Sequence, residues 1–264
     1  MKNEVHSVQA GSPADPVTVY CIPFAGGSAN SFSTYKAQDF PGLQFQALEL
    51  PGRGLRGEAP LLTCLEAILD DYWQQLVPLV TAAQKPYVLW GHSMGAAITG
   101  WLTARLLREQ VRSPLFLLHT SKVATRQPTD LVLHRLPEQQ FIAELRQLGG
   151  LPAFLSDGSD LLRQFLPIIR ADIRALESYT QPPPTGLPVP IRVLVSRQER
   201  PTPTEWGRWQ QESSASVAYQ EVAGDHFFIY RNRPAVGEQL RLGVAAGRPA
   251  PGPARAPDRF TISP

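Results

Sequence analysis

Cysteine is scarce: Cys21 and Cys64 are the only two in 264 residues. One lies in a strand pattern and the other opens a helix pattern. That placement argues against a disulfide framework and against a cysteine-held metal, and both thiols are expected to be reduced and buried. No segment approaches the uninterrupted apolar length of a membrane span. The formal net charge is only +2, and no basic run makes a local case for nucleic acid. The opening Met1-Lys2-Asn3-Glu4-Val5-His6-Ser7 has no apolar centre of the kind an export signal needs, so a cytoplasmic location is expected. No stripe suggests a subunit interface, and a monomer is the expectation.

What is present fits one large α/β domain. The hydrophobic fraction of 43% is that of a globular protein, and the length suits a single substantial core. Apolar runs at 17–24, 45–50, 86–90, 115–119, 191–195 and 217–222 read as strands covered on both faces. Helical spacing occupies 64–83, with Leu65, Ile68, Leu69, Tyr72, Leu76 and Leu79, and again 95–110. Strands alternating with helices predict a doubly wound parallel sheet. The alternation stops between Ser121 and Pro190, where 137–148 and 160–179 read as helices around Gly149-Gly150. Phe141, Leu145, Leu148, Leu151, Phe154 and Leu155 are more apolar than a surface excursion requires, so the block at about 122–186 is expected to form a lid over a site. Residues 1–16 read as a loose tail, 17–242 as the folded domain, and the Ala/Gly/Pro-rich 243–264 as a disordered tail.

Chemistry enters at Gly91-His92-Ser93-Met94-Gly95. The motif follows the strand pattern Tyr87-Val88-Leu89-Trp90 and precedes a helical run. Strand, G-x-S-x-G and helix together form a nucleophile elbow, with glycines that let strand and helix approach closely. A serine hydroxyl needs a base. His226, in Gly224-Asp225-His226-Phe227-Phe228 after the last strand, is the best placed of five histidines. His92 is expected to pack beside the elbow and His119 to be a satisfied core residue, while His6 and His134 have no supporting context. The orienting acid should follow the strand 191–195, where Glu199 is the carboxylate of the turn. A surface charge paired with Arg197 or Arg200 is the bland alternative for Glu199, and Asp225 and Glu205 are competitors for its role. Two backbone N–H groups should receive the oxyanion: Met94, and Ala25 or alternatively Phe24 in the loop after the first strand. Gly26-Gly27 in that loop lacks the spacing of a dinucleotide site, and no G-K-[ST] follows it.

Several segments in order resemble the type II thioesterases, the stand-alone editing thioesterases of nonribosomal peptide and polyketide synthases. They are Pro23-Phe24-Ala25-Gly26-Gly27-Ser28-Ala29, the Leu50-Pro51-Gly52-Arg53-Gly54 stretch through Pro60, and the elbow. Leu148–Pro152, Leu166-Pro167, Arg170-Ala171-Asp172, Glu177 and Tyr179 follow, and Gly224–Phe228 completes the set. Together they span residues 17–240. The resemblance implies an α/β-hydrolase fold with a helical lid. It also implies a Ser93–His226–Glu199 triad that hydrolyses acyl thioesters on the phosphopantetheine arm of a carrier protein, with no cofactor of its own. Glu199 stands where the family usually has Asp, and Ser196 where it has Gly. Arg53 is read as a structural anchor in preference to a substrate contact. A general esterase, a chain-releasing thioesterase, an acyltransferase and a non-catalytic carrier-binding protein with a decayed triad are the competing readings.

Overall fold

The computed structural model describes residues 15–121, 132–151, 155, 158–180, 182–199 and 202–247. Most of both expected tails, and Phe154, lie outside the described residues.

In chain order the elements are β1 (Val17–Ile22), β2 (Leu43–Ala47), α1 (Leu65–Ala83), β3 (Tyr87–His92), α2 (Met94–Arg108) and β4 (Leu117–Thr120). They continue with α3 (Glu138–Gln147), α4 (Asp160–Ser178), β5 (Ile191–Ser196), α5 (Pro203–Glu212), β6 (Val217–Val222), α6 (Phe228–Arg231) and α7 (Arg233–Gly247). The six strands form one sheet in the order β2-β1-β3-β4-β5-β6, and every pairing is parallel. This is the doubly wound sheet that the strand and helix patterns predict, in the α/β-hydrolase form. β1 stops at Ile22 rather than Phe24 because Pro23 has no N–H for the ladder. β2 likewise ends at Ala47, before the buried Leu48 and Leu50.

Alternation along the strands divides the core in two. Tyr20, Ile22, Leu89, Val193 and Val195 face α1 and α2, where they meet Ile68, Tyr72, Ile98 and Leu102. Val19, Cys21, Val88, Trp90 and Leu194 face the other way and meet Phe32, Tyr35, Phe228, Val236 and Leu240. The block between β4 and β5 builds a third cluster of its own, from Leu133, Phe141, Leu145, Leu151, Leu155, Leu162, Leu166 and Ile169. Polar groups tie that block to α4. Arg170 lies over the Phe141 ring at 4.1 Å and donates to the carbonyls of His134 and Leu136. Glu177 accepts from the Leu133 and His134 amides and pairs with His134 Nδ1 at 2.6 Å, so His134 does have a structural context. Among the described residues no helix is long and apolar enough to cross a membrane.

Two expectations are corrected. Cys21 is buried but Cys64 is exposed, because it caps the N-terminus of α1, where its sulfur accepts from the Ala67 amide. The expected C-terminal tail begins too early: α7 runs to Gly247, and Gly243 and Val244 are buried in it. Composition misleads there, because Gly243 is what lets α7 lie against Phe116. A Cβ at Gly243 would sit 2.4 Å from that ring, which is 1% exposed. Gly243→Val should therefore destabilise the fold by about 1–3 kcal/mol through overpacking. Urea melts of the two proteins check this, and an unchanged midpoint would mean that the last turns of α7 are not packed on the core.

Candidate active site

The elbow is built by backbone contact. Ser93 has φ 54° and ψ −113°, a region non-glycine residues rarely occupy. It is held there by its amide, which donates to the Thr120 carbonyl at 2.8 Å, and by α2, which starts at the next residue. A Cβ at Gly91 would lie 2.2 Å from the Gly95 backbone, and one at Gly95 2.0 Å from the Ile22 carbonyl oxygen. Neither position tolerates a side chain. Ser93 is thus raised at the carboxyl edge of β3, partly exposed, with the positive end of α2 directly behind it.

Glu199 and His226 come together from the turns after β5 and β6. His226 Nδ1 lies 2.5 Å from Glu199 Oε1. The side chains are 6% and 20% exposed, so the pair is sheltered but reachable. The surface-charge alternative for Glu199 does not hold. Its second oxygen is also engaged, with Ser121 Oγ at 2.9 Å. Asp225 is removed as a competitor because its Oδ1 accepts from the Phe227 amide. Glu205 lies within α5. The His226 ring leans on Phe227 at 4.9 Å and on His92 at 5.1 Å between centroids.

His92 is the other imidazole close to Ser93. It is wholly buried, with Nδ1 2.9 Å from Thr120 Oγ1. Burial first, then the nearby charge of His226, hold its pKa well below the ordinary 6.5. With its pKa held so low and its ring buried, His92 is a poor proton acceptor and does not compete as the base. His119 is also buried, with Nε2 2.9 Å from Thr99 Oγ1, as a core histidine should be. Among the described residues no cluster of His, Cys, Asp or Glu could hold a metal ion.

The loop after β1 closes as a turn, with the Gly27 amide donating to the Phe24 carbonyl at 2.8 Å and Gly26 at φ 83° in the third position. The Gly26 amide is used by Asp172 Oδ2 at 2.7 Å. That leaves Phe24 and Ala25 in this turn with amides that meet no acceptor among the described residues. Between the turn and the third cluster lies a cavity of about 290 Å³, lined by Ala25, Gly27, Ser31, Gly150, Phe165 and Ile169 among others.

Two residues of the site escape a reading of the sequence. Ser121 has φ 47°, and its hydroxyl stands 2.9 Å from Glu199 Oε2 and 2.8 Å from the His226 carbonyl. Its one proton serves either acceptor, so it ties the acid turn to the histidine turn. The available signal was a hydroxyl directly after a buried strand, at the edge where this sheet carries its chemistry. Asp172 lies in the Arg170-Ala171-Asp172 segment of the resemblance, but in the middle of an amphipathic helix nothing local gives it a role. Arg53 is an anchor, as expected: it pairs with Asp172 at 2.6 and 2.8 Å and donates to the Gly27 carbonyl at 3.2 Å. The segment Gly52–Gly57 has dinucleotide-site glycine spacing, but it forms a short 3-10 turn at Gly54–Arg56 and opens no α-helix.

Comparisons with known proteins agree with this geometry. The thioesterase domain family model matches residues 17–241. The chain is 30% identical over 239 residues to the probable cadicidin biosynthesis thioesterase of Streptomyces griseus, covering 90% of this chain and 65% of that one. It is 30% identical to the gramicidin S biosynthesis protein GrsT of Aneurinibacillus migulanus, covering 88% and 92%. It is also similar to the structure of the type II thioesterase BorB from the borrelidin biosynthetic cluster, with TM-score 0.74, 30% identity, and 91% and 100% of the two chains covered.

Two outcomes follow from these contacts. Ser121→Ala should lower kcat/KM on an activated ester by roughly fivefold, about 1 kcal/mol for a lost hydrogen bond to a charged group. Steady-state kinetics checks it, and an unchanged value would mean that Glu199 needs no support from β4. The second concerns pH. Folded His92 stays neutral, whereas in the unfolded chain it takes up a proton below about 6.5. The unfolded state then binds more protons, so stability should fall as pH drops below 6.5, by up to about 1.4 kcal/mol per pH unit. His92→Asn should lose that part of the slope in urea melts between pH 5 and 8, while equal slopes would show that His92 is charged when folded.

Proposed function

We propose a specific role for this chain, which belongs to the thioesterase domain family and is a thioester hydrolase. It is a stand-alone type II thioesterase that removes acyl groups from the phosphopantetheine arm of a carrier protein in a nonribosomal peptide or polyketide synthase. It acts in the cytoplasm as a monomer and clears stalled or wrongly loaded acyl groups. The observation that carries the reading is the His226–Glu199 pair at 2.5 Å, with the His226 ring 5.1 Å from that of His92 in the strained Ser93 elbow. Relatives named for gramicidin S and borrelidin biosynthesis support the synthase setting.

The reaction in this reading is acyl transfer through Ser93. His226 Nε2 takes the proton of Ser93 Oγ as the oxygen attacks the thioester carbonyl. Glu199 holds Nδ1–H and stabilises the imidazolium that forms. The oxyanion is received by the amides of Met94 and Ala25. Ala25 is preferred to Phe24 because it is the partly exposed residue of the pair. The C–S bond breaks, and His226 returns the proton to the departing thiolate. Water, deprotonated by the same imidazole, then attacks the acyl-serine. A carboxylic acid leaves and Ser93 is restored. The acyl group occupies the cavity beside Ala25, and no cofactor takes part, since the phosphopantetheine arm belongs to the substrate. The longer carboxylate of Glu199 does the work of the family's usual Asp by reaching from the short turn Arg197–Glu199.

Acetyl-, butyryl- and longer acyl-carrier proteins, followed by intact-protein mass spectrometry, test the reading. Wild type should deacylate them. Ser93→Ala should lose activity by roughly 10⁶-fold, and Glu199→Ala should lose on the order of 10⁴-fold, as in other serine triads. If wild type leaves every carrier substrate intact while hydrolysing simple esters, the carrier reading is wrong and a general esterase or acyltransferase takes its place.

A further inference from the structure

Arg53 and Asp172 form a buried ion pair whose cost stability alone does not explain. Arg53 is 5% exposed and Asp172 is 0% exposed. Such pairs are often replaceable by apolar residues with no loss of stability, because desolvation offsets the attraction. This pair is not even complete: among the described residues Arg53 Nε has no partner. What distinguishes it is the third party. Asp172 Oδ2 accepts both Arg53 Nη1, at 2.6 Å, and the Gly26 amide, at 2.7 Å, while Arg53 Nη1 also reaches the Gly27 carbonyl at 3.2 Å. The Ala25–Gly26 peptide is therefore gripped by its N–H and the Gly27–Ser28 peptide by its carbonyl. α4 presses on the same spot through Ile169, whose Cγ1 lies 2.3 Å from where a Gly26 Cβ would be.

We propose that Arg53 and Asp172 are positioning residues for the oxyanion loop: the clamp fixes Gly26 and Gly27 from α4, and the Gly27 amide in turn holds the carbonyl of the Phe24–Ala25 peptide, so that the Ala25 amide in that peptide is aimed before substrate arrives. The proposal rests on the assignment of Ala25 as an oxyanion donor in the reading above. Neither side chain touches substrate. α4 also contributes Leu162, Leu166 and Ile169 to the third cluster, so Asp172 links that cluster to the oxyanion loop. A preset donor costs no reorganisation during reaction, which is where such groups gain their effect.

The decisive variant is Arg53→Met/Asp172→Leu, which removes both charges and leaves the Gly26 amide without its acceptor. Arg53→Lys accompanies it. The lysine keeps a buried cation opposite Asp172, protecting the fold, but loses the two-pronged grip. Each is measured by thermal melting, by kcat and KM on acyl-carrier protein and on a p-nitrophenyl ester, and by affinity for an alkyl trifluoromethyl ketone. That ketone captures Ser93 as an oxyanion-bearing adduct. Positioning predicts a fall in kcat of about ten- to a hundredfold in the double variant, since a lost oxyanion donor costs up to 10²–10³. KM and the pH midpoint should stay within about twofold, ketone affinity should fall by the same factor as kcat, and Arg53→Lys should lie between. If the double variant does not fold, Arg53→Lys decides alone. Unchanged kcat and ketone affinity in a folded variant, with only the melting temperature moved, would overturn the proposal and leave a purely structural pair. Should wild type deacylate no carrier protein, the proposed function fails, but the ester and ketone measurements still decide the clamp.

Discussion

At Gly95 the first turn of α2 lies so close to the end of β1 that a Cβ would stand 2.0 Å from the Ile22 carbonyl oxygen. This approach sets the top of the sheet. It brings the amide of Met94 alongside the loop that follows β1, and it leaves Ser93 no conformation but a strained one. The strain is sustained because the surroundings over-determine it: the Thr120 carbonyl holds the Ser93 amide, α2 propagates from Met94, and Gly91 admits the returning backbone. Once those backbones are in place, the turns after β5 and β6 have one place in which Glu199 and His226 meet.

Around that frame the protein sorts its polar groups by burial. His92 is enclosed and its pKa is held well below the ordinary value, so the imidazole next to Ser93 in sequence is a poor proton acceptor. Burial would lower the pKa of Arg53, but the hydrogen bonds and charge of Asp172 outweigh it and raise the value instead. Arg53 therefore keeps its charge in an almost dry position. Glu199 remains partly exposed and is held from two sides, by His226 Nδ1 and by Ser121 Oγ. The extra methylene of a glutamate needs that second hold more than an aspartate would, because it adds a rotatable bond to the orienting group.

What was legible in the chain was legible through local pattern. Runs such as Tyr87–Trp90 and Ile191–Val195 name buried strands because both faces of a parallel sheet are covered. Ser93 announces itself through two glycines whose necessity is steric, and His226 through its place after the last strand. Glu199 was identified by elimination within its turn. Failures came where the partner was far away in sequence. Ser121 acts on Glu199, 78 positions on, and Asp172 on Gly26, 146 positions back. Cys64 was misjudged because the spacing of a helix does not say where the first turn ends and the cap begins. Gly243 was misjudged because its composition resembles a tail, while its function is to make room for Phe116.

The alternation of strands and helices, the elbow motif and the candidacy of Ser93 and His226 could be read from the sequence alone, because each depends on residues within a few positions of one another. Tertiary structure decided that Glu199 rather than Asp225 faces the imidazole, that His92 is kept neutral, and that a buried arginine and aspartate converge on the loop beside Ala25. Each of these depends on the distance or solvent access between segments that only the folded sheet brings together.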